Sequence, residues 1–259
     1  MTLPVAPAQV EVELPPGRCA YLYCVQRSDS SSEPPIRARL GDGVTRLRTG
    51  PLDAIVEAVL RSDFNETNLT DSAWLLRKLP VHETVVEEAM ASAAVLPSRF
   101  GTLFSSFSAV RECLERDRDR LLATLLAVEE ADEWGVELTG TPTGPAPAPT
   151  GLSSPASGTA FLLAKKAERQ RRLSTAREAA GLAAHAFAEL ARFARDAKRV
   201  PAPILKASFL VRRDGLESFR LTLDRMAGES EFDGLAFRLS GPWPPYNFCE
   251  GAPTKGDCV

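Results

Sequence analysis

The chain has 259 residues, 44% hydrophobic and 25% charged, with a formal net charge of −3. This is globular composition at a length that suits two domains of ordinary size. It excludes a chain drawn to nucleic acid or membrane by overall charge, and one too small to bury a core without disulfide or metal staples.

The five cysteines are Cys19, Cys24, Cys113, Cys249 and Cys258, and none forms a Cys-x-x-Cys pair. The two histidines, His82 and His185, are far apart in sequence. Zinc spacing is therefore absent, no cofactor or metal is expected, and the odd cysteine count suits a reducing compartment. Residues 1–17 are Pro-rich and acidic, a flexible tail rather than a signal peptide. No run of about 18 apolar residues occurs, so no spanning helix is expected and the cytoplasm is the default location.

The first strand is Cys19–Val25, apolar enough to be buried on both faces. Gln26–Pro35 is a Ser, Asp and Pro loop. Val44–Arg48 alternates as a half-buried strand; Leu52–Leu60 is ambiguous between helix and strand, and its β-branched Ile55, Val56 and Val59 favour a strand paired with it. Asp71 or Ser72 caps a helix that Pro80 should break in two, the second piece reaching about Ala93. Val95–Phe104 is extended. Ser108 caps a further helix to about Glu130, with an expected break near Asp117. Glu133–Thr139 alternates as a strand.

Residues 140–158 hold five prolines among Gly, Ser, Thr and Ala, a disordered Pro-rich loop. The longest helix is expected from Thr159 to Arg199, stopped by Pro201 and Pro203. Ile204–Arg212 is a strand, Gly215–Met226 a helix, and Phe232–Ser240 a strand that leads into Gly241-Pro-Trp-Pro-Pro-Tyr-Asn-Phe248. The fold class is α+β with two domains: a small mixed α/β domain over 18–132, and a ferredoxin-like α/β sandwich with a long helix over 133–259.

Chemistry-bearing constellations are sparse. Residues 53–137 carry 17 acidic and 8 basic side chains, and residues 161–213 carry 4 and 13. These are two solvated surfaces of opposite bias, or a basic helix that docks on an acidic surface, its own or a partner's. Little aromatic interleaving accompanies the basic stretch, which argues against nucleic acid. His82-Glu83 reads as a helix-start pair rather than an acid–base pair, because neighbouring helical positions point apart. Arg99 lies between bulky apolar residues, including Phe100. It either pairs with an acidic residue of its own domain, binds an anion, or meets a partner.

No Ser-His-Asp order, phosphate-binding loop or dinucleotide turn is present, so an enzyme is not expected. In the final string three prolines remove three backbone donors, which should end the sheet ladder and start a polyproline segment. Trp243, Tyr246 and Phe248 then either close the second domain's core, the favoured reading for Trp243 and Tyr246, or form an exposed aromatic contact surface.

Four stretches carry a resemblance. They are Tyr21-Leu-Tyr23; Val95-Leu-Pro-Ser-Arg-Phe-Gly-Thr-Leu-Phe104 with the preceding His82-Glu83; Glu133-Trp-Gly-Val-Glu137; and Gly241–Phe248. In order and separation they resemble the gas vesicle GvpF/GvpL family. The resemblance implies an accessory protein of gas vesicle assembly, located in the cytoplasm and at the vesicle. Its implied partners are the hydrophobic shell protein GvpA and other accessory proteins during nucleation or growth. It implies no catalytic residues. His82, Arg99, Phe100, Trp243, Tyr246 and Phe248 are the motif residues that could carry partner contacts. The alternative is a small-molecule-binding or enzymatic ferredoxin-like protein, which would need a pocket near Arg99.

Overall fold

The structure is a computed structural model that describes residues 13–28, 43–140, 158–229 and 235–253. Most of the N-terminal tail and the Pro-rich stretch 141–157 lie outside the described residues. The protein is mixed α/β with two antiparallel sheets. It divides into two compact units, one running to Glu129 and resuming at Pro244, the other Glu130–Trp243. Residues 244–253, expected with the second domain, thus group with the first unit.

In the first unit, β1 (Arg18–Arg27), β2 (Val44–Thr49), β3 (Leu52–Leu60), β4 (Val95–Pro97) and β5 (Leu103–Phe104) form one sheet. Its order is β2-β3-β1-β4, with β5 also on β1. β1 is buried from Cys19 to Gln26 because helices cover the sheet around it. The β2–β3 hairpin turns at Gly50, whose φ of 57° suits glycine. Asp53, fully buried at the foot of β3, is held by Arg46 at 3.5 Å and Arg48 at 3.2 Å.

The helices are α1 (Glu66–Thr70), α2 (Ser72–Met90), α3 (Phe107–Arg116) and α4 (Arg118–Val128). Asp71 caps α2 through the Ala73 amide. Pro80 does not break α2, which runs through it as one element. The helix tolerates the missing amide because its inner face is anchored on both sides of the proline, by Trp74 before it and by Val85, Val86 and Ala89 after it. Ser106, not Ser108, caps α3, and the expected break at Asp117 separates α3 from α4.

The second unit contains β6 (Ala131–Gly140), α5 (Gly158–Ala191), β7 (Ala194–Val200), β8 (Leu205–Arg212), α6 (Leu216–Glu229) and β9 (Leu235–Trp243). All pairs are antiparallel in the order β7-β8-β6-β9. Alternate residues Trp134, Val136 and Leu138 on β6, and Leu205, Ala207, Phe209 and Val211 on β8, meet Ala183, Ala186 and Leu190 of α5. Phe219, Leu223 and Met226 of α6 complete that core.

The long helix ends at Ala191 rather than Arg199. Residues 194–200 instead form β7, an edge strand whose exposed charges include Arg195, Asp196 and Arg199. Good helix formers sit there, but pairing with β8 through the 201–204 connection overrides their propensity.

Candidate functional site

The motif residues divide between the two units. His82, Arg99, Phe100, Tyr246 and Phe248 belong to the first, and Trp243 to the second. In the first unit His82 lies on the inner face of α2, 2% exposed. Four rings from three other segments surround it. Tyr23 of β1 stacks on it at 5.6 Å between centroids, while Tyr21 and Phe100 meet it edge-on at 5.7 and 5.8 Å. Tyr246, from the C-terminal segment, lies 6.4 Å away. Phe64 and Trp74 extend the cluster, Phe64 packing on Tyr21 and both rings on Phe100. These separations are those of favourable aromatic pairs.

Hydrogen bonds orient the centre. Tyr21 Oη lies 2.8 Å from His82 Nδ1, and His82 Nε2 lies 3.1 Å from Tyr246 Oη. Tyr246 donates to Glu83 Oε1 at 3.2 Å, and Tyr21 accepts from the Gly101 amide at 3.2 Å. With Glu83 ionised and His82 neutral, one proton arrangement satisfies all four contacts. The Gly101 N–H donates to Tyr21, Tyr21 O–H donates to Nδ1, Nε2–H donates to Tyr246, and Tyr246 O–H donates to Glu83. In that arrangement His82 is the neutral Nε2–H tautomer. Burial draws its pKa down to about 4, against a smaller opposing hydrogen bond with the Ser98 backbone.

The same burial raises the Tyr21 and Tyr246 hydroxyls well above the usual range. Tyr23 is raised too, by burial and by its 2.5 Å bond to Glu57. Glu83 is raised by burial, the Tyr246 bond working the other way. Burial also pushes the Cys24 thiol up to about 12, which makes it a core residue rather than a nucleophile. The arrangement holds protons in place and fixes rings. It aims no activated group at solvent.

Arg99 and Phe100 occupy the turn between β4 and β5. The Thr102 amide and hydroxyl both bond the Arg99 carbonyl, and Gly101 takes a φ of 82°. The turn drives Phe100 into the aromatic cluster and leaves the Arg99 side chain exposed. The internal ion pair weighed for Arg99 is not found: it has no acidic partner among the described residues.

The string 241–248 does not continue as one polyproline face. β9 persists to Trp243, which pairs with Glu133 across a register shift. At Gly241 a Cβ would lie 2.8 Å from the Glu133 carbonyl and 3.1 Å from the Trp134 ring, so only glycine passes there. Trp243 is 44% exposed and does not close the second core. Pro244 and Pro245 are buried, and a tight turn at Tyr246–Phe248 seats Tyr246 on His82 and buries Phe248. Tyr246 therefore closes the core of the first unit, not of the second.

Sequence reasoning did not assign Phe64, Trp74 or Glu57 to this cluster. The alternation of Tyr21 and Tyr23 on β1 was the one available signal, since both must face the same side. Among the described residues no cluster of His, Cys, Asp and Glu could hold a metal, and no helix is long and apolar enough to cross a membrane.

Residues 19–250 match the family described as gas vesicle synthesis protein GvpL/GvpF. The chain belongs to the GvpL/GvpF family. The match spans both units and every motif discussed above. Gas vesicle protein F of Streptomyces sp. (strain CB03234) is 29% identical over 89% of this chain and 99% of that relative. Gas vesicle protein F2 of Halobacterium salinarum is 25% identical over 80% of this chain and 82% of that relative. Two crystal structures share the fold at 16% identity. GvpF from Anabaena sp. PCC7120 superposes with a TM-score of 0.66 over 90% of this chain and 98% of its own. GvpF from Microcystis aeruginosa gives 0.63 over 90% and 99%. As a family member the chain is a gas vesicle accessory protein.

Proposed function

We propose that this chain acts in the cytoplasm as a contact protein of gas vesicle assembly, binding the shell protein GvpA and other accessory proteins during vesicle nucleation or growth. It works by binding rather than by catalysis. Its second unit, with two split β-α-β crossings and the order β7-β8-β6-β9, is a ferredoxin-like sandwich that serves as scaffold. The observation that carries the reading is the split of the family strings into buried and exposed residues. His82, Tyr246 and Phe248 are consumed in the first unit's core. Arg99 and Trp243 stand in the same strings with their side chains in solvent. A cation with no acidic partner among the described residues and a 44% exposed indole are groups suited to bind a partner surface.

A shell subunit that walls off gas must present apolar surface before it assembles, and a protein that covers such surface meets that need. Co-purification of the chain with GvpA tests the reading. The intact chain is expected to retain the shell protein, and Arg99→Ala with Trp243→Ala to lose at least about tenfold in affinity while keeping the same circular dichroism. Failure of the intact chain to hold the shell protein or any accessory protein would overturn it.

A further inference from the structure

The long helix α5 is half supported. From Ala179 onward, Ala183, Ala186 and Leu190 recur at three- and four-residue spacing and lie in the second unit's core. Upstream, every described side chain from Leu162 to Glu178 is exposed, with Leu162 at 66% and Leu173 at 52%. Helices in proteins draw most of their stability from packing of one face, and leucines contribute only when something covers them. Leu162, Lys166, Arg169 and Leu173 follow one another at spacings of four, three and four, so they share a face. That face has apolar ends and a cationic middle. A second α5 cannot cover it. Residues 158–178 hold six lysines and arginines against two glutamates, and like surfaces would repel.

The first unit carries the complement. On α2, Leu76, Pro80, Glu83 and Glu87 repeat the four, three, four spacing. Leu76 is 74% exposed, Pro80 and Glu87 are exposed, and Glu83 is half-buried. From Leu79 to Ser98 the chain has three glutamates and no lysine or arginine. We propose that the projecting half of α5 binds α2 of a second copy of this chain, with Lys166 and Arg169 on the Glu83–Glu87 side and the leucines packed at the ends. The two surfaces differ, so the contact is head-to-tail and an assembly keeps one free surface of each kind, one at each end. The inference stands apart from shell binding, because it concerns the purified chain alone.

Sedimentation of the full chain tests it. The average mass is expected to climb above the 28.0 kDa monomer with concentration at low salt, and to fall back toward it in about 0.5 M salt. Lys166→Glu with Arg169→Glu, and separately Leu76→Asp, should each weaken association at least about tenfold. Both sites are solvent-exposed, so circular dichroism should stay unchanged. Mixing the two variants should give a dimer and nothing larger, since the intact α2 of one meets the intact α5 of the other. A chain monomeric at every concentration and salt, association that survives both variants, or a mixture that stays monomeric would each overturn the proposal.

Discussion

His82 sits where a titratable group is least free to titrate. Its two ring nitrogens are committed in opposite senses, one accepting from Tyr21 and the other donating to Tyr246. Protonating Nδ1 would turn the acceptor into a donor against a hydroxyl that already receives the Gly101 amide. The folded pKa of about 4 lies below the ordinary 6.5. Below pH 6.5 the unfolded chain takes up a proton that the folded chain refuses until about pH 4, so stability is full above that window and falls with pH through it. The full shift corresponds to about 3 kcal/mol. Glu83 acts in the opposite sense, because its raised carboxyl favours the folded state as pH drops, and this softens the loss. Hydrogen exchange of the β1 amides, corrected for intrinsic rate, should show protection falling between pH 7 and 4.5. In His82→Gln, which donates and accepts without charging, the fall should be smaller by about 2 kcal/mol. Equal pH dependence in the two proteins would remove His82 as the cause.

Pro80 and β7 show at the scale of elements where local rules lose to packing. Pro80 is exposed on α2, and Thr84 bonds its carbonyl at 2.8 Å. The helix continues because its inner face is fixed to the sheet, so the missing amide bond is carried as a defect. Pro80→Ala restores that bond and should stabilise the chain by about 1–3 kcal/mol. Calorimetry should record a rise of a few degrees in the first unit's transition. A fall in that transition would mean that α2 needs the proline itself to seat His82.

The alternating strands β2 and β6 were legible in sequence, as were β8 and the Asp117 break, while β3 was decided only by its β-branched residues. β7 was not, because Ala194–Val200 has no apolar alternation and gains its conformation only from β8. The aromatic centre was half legible for a related reason. Tyr21 and Tyr23 announce a shared face on β1, but Phe64, Trp74 and Tyr246 reach it from segments that share no period with β1.

Across the whole molecule the chain leaves its first unit at Glu129, builds the second, and returns at Pro244. The return segment is small but does specific work. Tyr246 satisfies His82 Nε2, and Phe248, Cys249 and Ala252 are buried beyond it. Thr124 bonds the Glu250 carbonyl at 3.4 Å, and the Arg120 side chain lies 3.1 Å from where a Cβ on Gly251 would be, tying the segment to α4. Ending the chain at Trp243 leaves β9 and the second sheet intact on paper. It strips the first unit of those buried side chains and leaves His82 with an unpaired donor in an apolar site, a loss of about 1–3 kcal/mol for the orphaned group alone. The truncated chain should therefore lose protection in β1 and α2 while β6 and β8 keep theirs, as read by hydrogen exchange resolved by peptide. Tyr246→Phe keeps the ring and removes only the hydroxyl, so it should lose part of the same protection in the same elements. If the truncated chain protects β1 as well as the full chain does, the first unit closes without its returning segment. The shape of the 241–248 turn would then have to be explained by contacts outside the chain.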